Sequence, residues 1–147
     1  MALTIHVPFE AILWGFEGVL NRARPPGIEP DPRCLEISER AHLRGLRQAI
    51  LTDADAARAD EIEARLDAFP QIEALYAAGR TGHSKPAPEA FMAAAEGMNL
   101  APASILFVDG SGSFCNAAAK LGFRTFRFSR LAADNLEARL PDHRRRR

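Results

Sequence analysis

Short unbroken apolar runs alternate along the chain with stretches that space apolar residues three and four apart. The first pattern marks strands buried on both faces of a parallel sheet, the second amphipathic helices. Five runs predict strands: Ala11-Ile12-Leu13-Trp14, Ala49-Ile50-Leu51, the weaker Ile72 to Tyr76, Ile105-Leu106-Phe107-Val108, and Arg124 to Phe128. Asp31-Pro32 supplies a capping carboxylate and a first-turn proline, and Gly45 a stop, so a helix is expected over Pro32 to Arg44. Thr52 or Asp53 is placed to cap a second helix whose Ile62, Leu66 and Phe69 share a face. Pro88 opens a third, with Phe91, Ala95 and Met98 in register, and a fourth runs from about Phe114 to Leu121 before Gly122.

Strand and helix alternate throughout, and right-handed crossovers turn such a chain into an α/β fold: a doubly wound, Rossmann-like, parallel five-stranded sheet with helices on both faces. Ligands of such sheets sit beyond the carboxyl ends of the strands. Those ends are Trp14-Gly15-Phe16-Glu17-Gly18, Thr52-Asp53, the loop up to Ser84-Lys85-Pro86, and Asp109-Gly110-Ser111.

Composition narrows the class. A chain of 147 residues, 47% hydrophobic and 26% charged, is expected to form one soluble domain, with the core over residues 1–142 and the basic run 143–147 as a disordered tail. Nineteen basic and nineteen acidic residues cancel, so no net field gathers nucleic acid or anionic lipid, apart from a weak contribution of that tail. No run approaches the roughly 20 apolar residues of a membrane span, and no leader is legible. Cys34 and Cys115 lack the spacing of a zinc site or a disulfide framework. A cytoplasmic location is the expectation. Cys115 begins a helix, where the dipole lowers a thiol pKa, but a buried structural thiol is expected. His6, His42, His83 and His143 share no metal-ligand spacing, and His83 is read as an exposed loop residue.

The strand ends, in this order, resemble the four motifs of the haloacid dehalogenase (HAD)-like hydrolase superfamily. Residues 11–20, with the strand Ala11 to Trp14 followed by Gly15-Phe16-Glu17-Gly18-Val19-Leu20, are similar to a strand ending in Phe-Asp-x-Asp-Gly-Val-Leu. Thr52 matches the second motif. Ser84-Lys85-Pro86-Ala87-Pro88-Glu89-Ala90-Phe91 resembles the lysine-proline motif, and Ile105 to Ser111 with Asn116-Ala117-Ala118 the acidic one.

The resemblance implies roles for these positions. The nucleophilic aspartate of the family falls at Gly15 and its acid/base aspartate at Glu17; glycine has no carboxylate to attack with. The magnesium-binding aspartate of the fourth motif falls at Gly110, leaving Asp109 as a weak ligand at most, so no cofactor is expected beyond weak Mg2+. Thr52, Lys85 and the backbone N–H groups around Phe16 to Gly18 are the phosphate-binding remnant. Lys85 is left to pair with Asp109 or Glu17, or to stay free for an anion. The plainer alternative is that Lys85-Pro86 shapes a loop and Thr52 caps a helix. Residues 16–51 and 53–84 leave no room for a cap domain.

The functional expectation is a catalytically inactive HAD-like domain, a pseudoenzyme, binding a partner protein or a phosphorylated ligand. One alternative is a phosphatase-type hydrolase working through Glu17 and Asp109. Another is a structural subunit of a larger assembly.

Overall fold

The computed structural model describes residues 8–142 and 144. His6, His143 and the tail residues 145–147 lie outside them; of the tail only Arg144 is described, and its guanidinium pairs with Asp142 at 3.1 Å.

Five parallel strands form the sheet: β1 (Ala11–Trp14), β2 (Arg47–Thr52), β3 (Ala74–Ala77), β4 (Ile105–Asp109) and β5 (Arg124–Arg127), in the order β3-β2-β1-β4-β5. The chain starts at the centre and winds outward in both directions, which is the doubly wound arrangement the sequence predicts. β1 lies between β2 and β4, with Trp14 opposite Ile50 on one side and Val108 on the other. The carboxyl ends of β1, β2 and β4 therefore open side by side.

Strand parity divides the core. Ile12, Trp14, Ile50, Leu106 and Val108 point to one face, where they meet α1 (Pro32–Leu43), α2 (Ala56–Glu63) and α6 (Ala133–Ala138) through Ile37, Ile62 and Leu136. Ala11, Leu13, Leu51, Ile105 and Phe107 point to the other, against α4 (Pro88–Met98) and α5 (Gly112–Lys120) through Phe91, Met98 and Cys115. The first face also holds a buried polar cluster. Gln48 Oε1 accepts from Trp14 Nε1 at 3.0 Å and from Ser38 Oγ at 2.6 Å, while Gln48 Nε2 donates to the Ser38 carbonyl.

Several boundaries differ from expectation. Neither Thr52 nor Asp53 caps α2; Asp55 does, accepting from Arg58 N at 2.8 Å. That helix ends at Glu63, and Leu66 falls in a separate 3-10 turn, which brings Phe69 edge-on against Phe16 at 5.6 Å. The third strand covers Ala74–Ala77, and a single helical turn, α3 (Ala78–Thr81), follows it directly. α5 starts two residues early because the Ser111 hydroxyl accepts from Phe114 N. α6 has no counterpart in the sequence reading.

Asp31 caps α1 as expected, accepting from Cys34 N at 2.9 Å. Its other oxygen accepts from Arg130, beyond β5. Burial opposes the charged form, but the Cys34 N–H and the guanidinium outweigh it and hold the carboxyl below its ordinary pKa.

Candidate functional site

The segments at the carboxyl ends of β1, β2 and β4, with the loop before α4 and the first turn of α5, enclose a cleft of about 150 Å3 lined by Phe16, Glu17, Thr52, Asp53, Lys85, Asp109 and Phe114. The sequence-derived residues Glu17, Thr52, Lys85 and Asp109 thus come together where the doubly wound fold places a ligand. Their partners decide what each can do.

Lys85 and Asp109 are paired. Lys85 Nζ donates to Asp109 Oδ2 at 3.0 Å and to the Leu51 carbonyl at 3.2 Å, with both side chains largely buried. The rings of Phe107 and Phe114 lie 5.8 and 5.2 Å from the ammonium. Of the fates left open for Lys85, pairing with Asp109 is the one observed. Asp109 Oδ1 accepts from Ser111 N at 2.9 Å, so both oxygens of that carboxylate are in use.

Gly15 explains how Asp109 comes to lie there. A Cβ on residue 15 would stand 2.6 Å from Asp109 Oδ2 and 3.1 Å from its Cγ. The Asp109 carboxylate, at the end of β4, occupies space that a side chain on residue 15, just beyond β1, would need. Position 110 is different: a Cβ there would meet only the Phe128 carbonyl, at 3.8 Å, so Gly110 leaves open room.

Glu17 lines the cleft, but its carboxylate is engaged by partners of its own loop and of α2: it accepts from Asn21 Nδ2 at 2.8 Å and from Arg58 at 3.1 and 3.2 Å. The loop is organised by Asn21, which is fully buried. Asn21 Nδ2 also donates to Gly27 O, and Asn21 Oδ1 accepts from Ala23 N and Glu29 N. This loop and α1 fill the interval in which a helical cap would be inserted. The expected anion nest is also reduced, because Gly18 N donates to the Asn21 carbonyl.

Thr52 lines the cleft, and its Oγ1 accepts from Ala54 N at 3.3 Å, closing a local turn. Sequence reasoning missed three contributors. Asp53 accepts from Lys85 N at 2.8 Å and fixes the lysine loop against the end of β2. Phe114 covers the ammonium, and Arg58 draws Glu17 aside. Asp53 was legible as a neighbour of Thr52; Arg58 was not, since its partner is 41 residues away.

Neither thiol fits a reactive role. Burial, and then the negative charge of Asp109, push the Cys115 pKa up, and burial does the same to Cys34. His42 and His83 are exposed.

A sequence model of the haloacid dehalogenase-like hydrolases matches residues 17–122, most of the chain and nearly all of the strand-end motifs. The chain belongs to the HAD-like hydrolase family. Protein CbbY of Rhodobacter capsulatus is 31% identical over 96 residues, which cover 63% of this chain and 42% of the relative. The HAD-like chain thus spans less than half the length of that relative. Among solved structures, an uncharacterized protein from Corynebacterium glutamicum superposes with a TM-score of 0.73 at 22% identity, over 88% of this chain and 92% of the other. A HAD family enzyme from Bacteroides thetaiotaomicron, solved in complex with magnesium and inorganic phosphate, gives 0.59 at 16% identity over 82% and 94%. These two likenesses concern the fold alone. Among the described residues, no helix of this HAD-like domain is long and apolar enough to cross a membrane.

Proposed function

We infer that this HAD-like domain has given up the chemistry of its family and works by binding, with a partner protein as the favoured occupant of its open strand ends. The observation that carries this reading is the Asp109 carboxylate, seated against Gly15 and neutralised by Lys85. A nucleophile must be poised toward substrate, and this carboxylate has both oxygens engaged within the protein. Glu17, the remaining candidate acid/base, is held by Asn21 and Arg58.

Magnesium suits the cleft poorly. Gly15 and Gly110 offer no side-chain ligand, and the Lys85 ammonium 3.0 Å from Asp109 Oδ2 opposes a second positive charge on that oxygen. Nor does the chain between β1 and β2 supply a lid to exclude water. A shallow, self-neutralised cleft suits a protein surface better than a small substrate, and with it goes a cytoplasmic, pseudoenzyme role.

Family membership favours a second reading, a phosphatase-type hydrolase acting through Glu17 or Asp109. Purified protein incubated with magnesium and a general phosphomonoester separates the two: the binding reading expects no release of phosphate above the buffer rate. Turnover abolished by Glu17→Gln or Asp109→Asn would establish the hydrolase instead. Gly15→Asp combined with Gly110→Asp is expected to gain magnesium affinity by calorimetry, since position 110 has room and the end of the Asp109 side chain can yield. No gain would mean that these strand ends do not correspond to the catalytic motifs.

A further inference from the structure

We propose that the groove between the start of α4 and α5 is where a partner protein docks, and that it takes an acidic segment carrying an apolar side chain close to its carboxylate. The groove holds about 460 Å3, against about 150 Å3 for the cleft at the strand ends. Pro86 and Pro88 form one wall; Asn116, Ala117, Lys120 and Leu121 form the other. Two observations carry the inference. The first is charge. Among the described residues no carboxylate lines this groove, and the Lys120 ammonium has no ion-pair or hydrogen-bond partner. The groove between α1 and α6 is the contrast: there Arg33 and Arg40 meet Asp134 and Glu137, so its cations are neutralised from within. An uncompensated cation beside an apolar wall selects a partner of opposite charge.

The second observation is the stripe that α5 presents. Asn116, Ala117 and Lys120 fall at helical spacing on one face, turned away from the buried Cys115 and Ala118. Ala117 and Leu121 are half-buried and the two prolines exposed, so an apolar side chain set between them removes carbon surface on both walls from water. The small side chain of Ala117 keeps the space open. The Asn116 amide, exposed and without a partner among the described residues, offers a donor and an acceptor to the backbone of a bound segment. Pro86 follows Lys85, which lines the cleft, so the groove opens beside the strand ends and a protein seated over them reaches it.

The inference rests on the reading that the domain works by binding, and the turnover assay above decides that reading separately. The probe for the groove is a rhodamine-labelled synthetic peptide of leucine, glutamate and serine, titrated into the full chain at constant ionic strength and followed by fluorescence polarisation. Its two controls carry lysine for glutamate, or serine for leucine. The acidic apolar peptide is expected to bind with a Kd below about 1 mM, and both controls at least about fivefold more weakly. Lys120→Glu is expected to weaken it about five- to tenfold, the scale of reversing one exposed charge. Ala117→Gln fills the groove without changing charge and is expected to weaken it as much. Arg65→Glu makes the same charge change at an exposed position outside the groove and should alter affinity by less than about twofold, because a distant surface charge is screened. Circular dichroism checks folding, and if Ala117→Gln fails to fold, the exposed Lys120 and Arg65 variants carry the test. No binding of the acidic peptide overturns the proposal. So does binding no tighter than that of the lysine peptide, or a loss in Arg65→Glu equal to that in Lys120→Glu. Phosphate release alongside peptide binding would sink the binding reading and leave the groove; an inert chain without peptide affinity would do the reverse.

Discussion

A buried ion pair is worth little against an apolar replacement but costs much to break from one side, and Lys85 with Asp109 is such a pair. Removing the ammonium by Lys85→Met leaves a largely buried carboxylate with one hydrogen bond, from Ser111 N, and no compensating charge. We expect a loss of about 2–3 kcal/mol in urea unfolding, below the range for fully buried pairs because the cleft admits some water. A double-mutant cycle with Asp109→Asn should return a coupling of at least about 1 kcal/mol; additive losses would mean that the two groups act independently. Asp31 gives a pH dependence of definite sign. Its folded pKa lies below the ordinary value of 3.8, so its contribution is complete above that value and is lost as the pH falls through the folded pKa. Asp31→Asn should therefore lower stability at neutral pH and flatten its decline in strong acid. An unchanged acid limb would remove Asp31 from the account.

At the scale of elements, the buried Asn21 side chain is the hub of the loop from Phe16 to Asp31, alongside its backbone bonds and the contacts of Arg58 to Pro26 and Gly27. Asn21 satisfies both amide hydrogens and both oxygen lone pairs with partners in that loop, Glu17, Gly27, Ala23 and Glu29. Asn21→Ala strands several of these groups at once, and we expect a cost of about 2–4 kcal/mol together with faster hydrogen exchange across the loop. Protection unchanged from the wild type would show that backbone bridges alone suffice. The last helix is anchored differently. Arg33 and Arg40 of α1 reach Asp134 and Glu137 of α6 across the surface, whereas Leu136 is fully buried beneath them. Exposed pairs contribute about 0–1 kcal/mol each, and truncating a buried leucine about 2–5 kcal/mol. Leu136→Ala should then lower thermal stability far more than Arg33→Ala or Arg40→Ala; the reverse order would make the ionic clasp the true anchor.

At the scale of the whole molecule, the parallel sheet was legible because buried strands are written as continuous apolar runs, and Ile105 to Val108 can be little else. The cleft positions were legible for a related reason: residues at the ends of central strands converge whatever the loops do. Contacts made across the fold were not. Nothing local to Glu17 tells that Arg58 will claim it, and nothing local to Asp109 tells that its carboxylate lies in the space that Gly15 leaves beside β4. α6 escaped because six residues with two buried positions, Ala133 and Leu136, are too few to establish a helical period. The Trp14, Gln48 and Ser38 cluster has a consequence for how the chain finds this sheet. A slip of β2 by one residue would turn Gln48 toward Phe91 and Met98 on the more apolar face, away from Ser38, and would strip the indole N–H of its acceptor. The glutamine thus works as a proofreading mark at the centre of the sheet, penalising misaligned strands before the outer strands can close over the mistake.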